Sequence, residues 1–123
     1  MKTLFTLQGT VEHGNKRGKR LGFPTLNMEV NQKLPEGIFV SHTVIAGKQF
    51  NSLTFVGAAK TYNENVFQAE TYLFDFDHDI YGQEVTIHVL KKIRDNKKFE
   101  SEETLLAEME NDKKAALKFF ADL

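Results

Sequence analysis

The chain has no cysteine, no tryptophan and only two prolines, Pro24 and Pro35, among its 123 residues. Without cysteine there are no disulfides, no thiolate nucleophiles and no Cys-ligated zinc. No apolar run approaches the roughly 18–20 residues that a membrane-spanning helix needs. Met1–Phe5 enters an alternating segment too soon for a secretory leader. These absences predict a cytoplasmic protein with no membrane partner. Excess charge of either sign is also missing: 16 basic residues face 17 acidic ones, and the net charge is −1. A nucleic-acid binder is usually strongly basic, so the balance predicts no nucleic-acid partner. There is no repeat, low-complexity tract or linker, and the expectation is one domain over 1–123.

What is present is ordinary in bulk and specific in detail. Hydrophobic residues make up 41%, with 11 phenylalanines, enough for an aromatic-rich core. Short β-branched and aromatic runs, separated by turn residues, predict strands at about 3–12, 25–30, 37–46, 49–57, 66–76 and 83–93. Turns are expected at Ala46-Gly47-Lys48, Tyr62-Asn63-Glu64-Asn65 and Asp77-His78-Asp79. From Ser101 onward Gly and Pro disappear, and Leu105, Met109, Ala116 and Phe119/Phe120 recur at helical spacing. Ser101 suits an N-cap, and Glu102 and Glu103 suit the positive end of a helix. The prediction is mainly β: a six-stranded antiparallel barrel over about 3–99, with a C-terminal helix over about 101–121.

The stretch His13 to Asn27 stands out. It holds Gly14, Gly18 and Gly22 and the cations Lys16, Arg17, Lys19 and Arg20, then ends Pro24-Thr25-Leu26-Asn27. Glycines let backbone N–H groups approach an anion closely, and the cations can neutralise phosphate. It is not a P-loop: the glycine spacing is one residue short, and Arg20 stands where a Ser or Thr would hold magnesium. Alternation on an extended segment puts Thr25 and Asn27 on one face, so both oxygens can reach one Mg²⁺ that otherwise keeps waters and phosphate oxygens. Pattern alone leaves a simpler reading open, a charged hairpin loop that is merely solvated.

Two further segments carry acidic side chains in suggestive patterns. On Phe67–Phe74, alternation puts Gln68, Glu70, Tyr72 and Phe74 on one face. Glu70 there is either a general base for a hydroxyl or a rim carboxylate facing water. Asp75-Phe76-Asp77-His78-Asp79 resembles the start of a calcium loop, but Ile80 occupies the glycine position and Thr86 replaces the bidentate Glu, so a polar turn is expected. His13, His42, His78 and His88 show no ligand spacing, and the basic run Lys91–Lys98 is by charge alone a solvated connection.

Taken in order, these motifs resemble the riboflavin kinase family. The resemblance runs from Gly9–Gly14 through Arg17–Asn27 with its Leu21-Gly22-Phe23-Pro24-Thr25-Leu26-Asn27 core, then Leu34–Phe39, Glu70–Phe76, Asp79–Gly82 and Ile93–Ser101, and reaches Asp112. It implies a six-stranded antiparallel Greek-key barrel with a C-terminal helix. It also implies transfer of the ATP γ-phosphoryl group to the ribityl 5′-hydroxyl of riboflavin, giving FMN and ADP. By resemblance, Gly14 to Phe23 form a flap over the nucleotide, with Gly14 and Lys19 near the phosphates and Gly22, Phe23 and Pro24 in the ATP-binding motif. Thr25 and Asn27 become ligands of Mg²⁺, and Glu70 the general base. Leu73, Asp75 and Tyr81 line the adenine side, partly through backbone groups. Arg94, Lys97, Thr104 and Met109 fall in the flavin loop and helix.

The chain departs from the family pattern in two places. Phe55-Val56-Gly57-Ala58-Ala59-Lys60-Thr61-Tyr62 lacks the family's Asn and Pro, and Asn96 stands where Glu is common. The bacterial pairing with an adenylyltransferase domain is also missing, which implies a stand-alone kinase or an excised module, expected to be a monomer. Two alternatives remain: a flavin- or FMN-binding regulatory module with weak or lost kinase activity, and a nucleic-acid-binding barrel using Lys16–Arg20.

Overall fold

A computed structural model describes residues 2–12, 25–30, 33–58, 67–75 and 80–123. Among the described residues six strands are followed by one helix: β1 (Phe5–Thr10), β2 (Thr25–Glu29), β3 (Gly37–Ile45), β4 (Lys48–Gly57), β5 (Gln68–Leu73), β6 (Glu84–Arg94) and α1 (Glu102–Ala121). All strand pairs are antiparallel, in the order β1-β6-β3-β4-β5-β2. The meander β3-β4-β5 with β6 returning beside β3 is a Greek key. The sheet curls, and a bridge between Glu12 and Asn27 joins its two ends. The mainly β, six-strand-plus-helix architecture read from the sequence is the one observed.

Local chemistry explains the elements. Ala46 and Gly47 sit at φ 50° and 81° between the paired Ile45 and Lys48, the backbone of a primed two-residue hairpin turn, so the expected turn is present. β5 ends sooner than the apolar pattern suggested, because Asp75 turns the chain at φ 60°. The turns expected at 62–65 and 77–79 lie outside the described residues. Ser101 caps α1: its hydroxyl accepts from the Thr104 N–H, and the Thr104 hydroxyl accepts from the Ser101 N–H.

The curled sheet has two apolar sides. Inside lie Leu7, Val11, Met28, Phe39, Val56, Leu73, Ile87 and Val89. Among them runs a ladder of fully buried hydroxyls, Thr43–Ser52–Ser41–Thr54–Thr71, linked at 2.7–2.9 Å across β3, β4 and β5. Outside, Ile38, Val40, Leu53, Phe74 and Leu90 pack against Ala116 of α1. Phe120 stacks on His42 with ring centroids 5.5 Å apart, seating the end of the helix. β6 shifts register twice along β3, beside Leu90 and Ile93, so these bulges break its strict alternation. Leu90 then joins the outer cluster, and Arg94 reaches the space under α1.

A candidate active site between sheet and helix

A cavity of about 140 Å³ opens between the outer face of the sheet and α1. Thr25 of β2 and Glu70 of β5 stand on its sheet wall, beside Phe55 and Tyr72. The segment after β6 contributes Asn96, Lys97 and Phe99, and α1 contributes Leu105, Met109 and Asp112. The walls are largely apolar, with a few convergent polar groups, the usual make-up of a small-molecule site.

The β2–β5 pairing decides the polar end. Asn27 lies directly opposite Glu70, and Thr25 opposite Tyr72. Directly opposed residues share a face with Cβ atoms about 4.5–5.5 Å apart. The two neutral oxygen donors and the carboxylate singled out in the sequence, more than 40 positions apart, therefore occupy one small patch. Gln68, on the same face, donates a 2.8 Å hydrogen bond to Glu70 Oε1.

Asn27 carries the most informative defect. Its side chain is buried, and its Oδ1 is the one buried side-chain polar atom without a hydrogen-bond partner among the described residues. A buried carbonyl oxygen left unpaired costs about 1–3 kcal/mol, so its persistence suits an atom kept for a ligand. Among the described residues no group of three His, Cys, Asp or Glu side chains could hold a metal on its own. A Mg²⁺ site resting on Thr25, Asn27 and substrate phosphate oxygens needs no such group, and the orphaned Asn27 oxygen fits it.

The opposite end sets Arg94 and Lys97 against the carboxylates of Asp112 and Glu108. Arg94 makes two 2.8 Å hydrogen bonds to Asp112, through Nε and Nη2, and lies 3.7 Å from Glu108. Burial pushes the Asp112 carboxyl above its ordinary range, and the Arg94 guanidinium opposes that shift. Arg94 and Lys97 also stack over the Phe99 ring, at 5.4 and 4.9 Å.

Of the residues proposed from sequence, Thr25, Glu70, Arg94, Lys97 and Met109 line this one cavity, with Asn27 beside it. Leu73 points into the barrel core, so only its backbone could serve the adenine side. Asp75 is exposed in the turn after β5, and Tyr81 is on the surface. The Thr104 hydroxyl is engaged in the helix cap, and its neighbour Leu105 lines the cavity instead. Gly14, Lys19, Gly22, Phe23 and Pro24 lie outside the described residues. Asp112 was the functional-looking residue that sequence reasoning passed over. Its signal was legible: a carboxylate interrupting the apolar stripe Leu105, Met109, Ala116 at helical spacing.

Comparison with known proteins identifies the family. The riboflavin kinase (flavokinase) family model matches residues 1–120. The bifunctional riboflavin kinase/FMN adenylyltransferase of Bacillus subtilis is 32% identical over 125 residues, which cover 97% of this chain and 40% of that protein. A solved Streptococcus pneumoniae structure, named a macrolide-efflux protein, superposes with TM-score 0.79 at 32% identity, over 90% of this chain and 38% of that one. The riboflavin kinase of Trypanosoma brucei superposes with TM-score 0.63 at 23% identity, over 94% and 79%, and so supports the fold alone. The chain spans 40% of the length of that Bacillus subtilis relative and from 18% to 50% of seven other curated relatives. With its family model matched nearly end to end, the chain belongs to the riboflavin kinase family.

Proposed function

We propose that this chain is an ATP:riboflavin 5′-phosphotransferase and that riboflavin enters the cavity under α1, its ribityl end toward Glu70. The observation that supports this most is the direct pairing of Asn27 with Glu70 across β2 and β5, with an unpartnered buried oxygen on Asn27. Glu70 accepts the proton of the 5′-hydroxyl as that oxygen forms its bond to the γ-phosphorus. The bond from the γ-phosphorus to the bridging oxygen breaks, and ADP leaves with the electron pair. Phosphoryl transfer asks the protein chiefly for positioning and charge neutralisation. Thr25 and Asn27 would hold Mg²⁺, which when bound spreads the charge of the phosphate oxygens.

The rest of the wall orients the acceptor. Phe55, Tyr72, Leu105 and Met109 offer apolar surface to a flat ring system, and Arg94 and Lys97 offer donors to its polar edge. Phe55, which stands where the family's Asn is usual, lies directly opposite Glu70 across β4 and β5 and makes the wall beside that carboxylate more apolar. The reading also takes the chain to act in the cytoplasm without nucleic acid. No helix among the described residues is long and apolar enough to cross a membrane.

Riboflavin, ATP and Mg²⁺ incubated with the protein and resolved by chromatography test the proposal. The expected result is FMN that accumulates only when ATP is present. Tight FMN binding with no ATP-dependent product would favour a binding or regulatory module instead.

A further inference from the structure

The wall formed by residues 95–100 poses a physical question. This segment joins β6 to α1 without helix or strand, yet it supplies Asn96, Lys97 and Phe99 to the cavity. Loop backbone without ladder hydrogen bonds opens easily unless something ties it down. Asn96 supplies such a tie. Its Nδ2 donates to the carbonyl of Ala58, just after β4, at 3.1 Å, and to Glu36 Oε1, just before β3, at 3.3 Å. One amide nitrogen thus joins three separate connections of the sheet.

Gly57 shows how tightly that junction closes. It sits at φ 145°, and a Cβ there would lie 2.8 Å from Glu36 Oε1 and 3.0 Å from Asn96 Nδ2. The space for a side chain is filled by the two groups that make the bond. The chemistry of position 96 is equally restricted. A primary amide has two N–H donors on one nitrogen, which suit a carboxylate and a carbonyl together. A carboxylate there would bring no donor and would face the Glu36 charge.

We infer that Asn96 is a positioning residue for the flavin side of the site, holding Lys97 and Phe99 against the cavity by bridging Glu36 and Ala58. This deepens the proposed function and rests on it for the identity of the ligand. Glu70, Thr25 and Asn27 stand on β2 and β5, outside the bridge, so the nucleotide side should not notice its loss.

The test compares the intact protein with Asn96→Asp, Asn96→Ala and the double variant Glu36→Gln/Asn96→Asp. Riboflavin binding is followed by quenching of its fluorescence, and FMN formation gives KM for each substrate. Asn96→Asp is expected to weaken riboflavin binding and raise its KM about tenfold, and Asn96→Ala about threefold, as two hydrogen bonds are lost or opposed. The turnover number and KM for MgATP should stay within about twofold in both. Glu36→Gln in the double variant supplies a new donor and should recover part of the lost affinity. Amide exchange in residues 95–99 should accelerate about tenfold in Asn96→Asp, with or without ligand. Wild-type flavin affinity and exchange in Asn96→Asp would overturn the inference. So would equal rises in both KM values, or a double variant no better than the single. A wild-type protein that neither binds riboflavin nor makes FMN would instead remove the proposed function, and the exchange measurement alone would then decide the bridge.

Discussion

The two faces of the curled sheet are built from the same strands and obey opposite rules. On β5, Ala69, Thr71 and Leu73 point into the barrel, while Gln68, Glu70 and Tyr72 point out. The inner face is closed and satisfied: its five hydroxyls are fully buried and linked to one another. The outer face is left incomplete, with a cavity, a carboxylate beside it and the unpaired oxygen of Asn27. Polar groups in low dielectric are costly unless paired, so an interior network rigidifies only when every member has a partner. A site for a ligand needs the reverse, a group such as the Asn27 oxygen held in place by its own strand and left short of a partner. A barrel strand provides both at once, because its side chains alternate.

Substitutions on each face should break this division in different ways. The largest effect is expected from Glu70→Gln, which keeps shape and removes the base. The FMN formation rate should fall by about 10²–10⁴-fold, with an unchanged far-UV spectrum. Asn27→Leu should separate stability from function: the magnesium concentration for half-maximal rate should rise about tenfold or more, while the ligand-free protein gains about 1 kcal/mol in denaturant unfolding as an unpaired buried oxygen disappears. A gain in stability without a changed magnesium requirement would remove Asn27 from the metal.

Inside the barrel the signs reverse. Thr54 links Ser41 at 2.8 Å to Thr71 at 2.9 Å, so Thr54→Val should take the Thr71 hydroxyl out of the ladder and leave the Ser41 hydroxyl with Ser52. The cost should be about 1–3 kcal/mol, read as a lower melting temperature, with riboflavin KM and turnover kept at permissive temperature. Equal losses of activity and stability would mean that the two faces are not independent.

The smallest effect concerns the seat of the helix. Burial first, then repulsion from His88 and the amino terminus, hold the His42 imidazole below the ordinary histidine range, against a hydrogen bond with Asn51. A base with a depressed folded pKa leaves the unfolded state holding more protons. Its stabilisation is therefore present above the ordinary value of about 6.5 and is lost as pH falls through the lowered one. The denaturation midpoint of the wild type should drop more between pH 7.5 and 5.5 than that of His42→Gln.

Much of this was legible from residues alone, and for identifiable reasons. The strands showed because β-branched and aromatic runs were punctuated by Gly, Asn and Asp, and the helix because Ser101, Glu102 and Glu103 mark its start before an apolar stripe. Strand alternation showed that Thr25 shares a face with Asn27, and Glu70 with Gln68 and Tyr72, while their roles as metal ligands and base came from the family resemblance. Less visible were the bulges beside Leu90 and Ile93, which upset the alternation of β6 and bring Arg94 under the helix. The sequence placed Thr104 at the start of the helix by resemblance, but that its hydroxyl closes the helix cap with Ser101 emerges only from the structure. Asp112 shows in the sequence as a carboxylate within an apolar stripe, but its tie to Arg94, 18 positions earlier, shows only in the structure.

What the sequence determined by itself was the local code: where strands alternate, where the chain must turn, and which residue types could hold a metal or accept a proton. Which of these would meet was a matter for the tertiary structure. Alternation fixes the face a side chain takes, but only strand register fixes its partner, and a shift by one residue would move Glu70 to the interior. The pairing of Asn27 with Glu70, the reach of Arg94 to Asp112 and the bridge from Asn96 to Glu36 and Ala58 all join segments remote in the chain. Such contacts depend on how the whole sheet curls and where the helix settles on it, and no local run of residues encodes them.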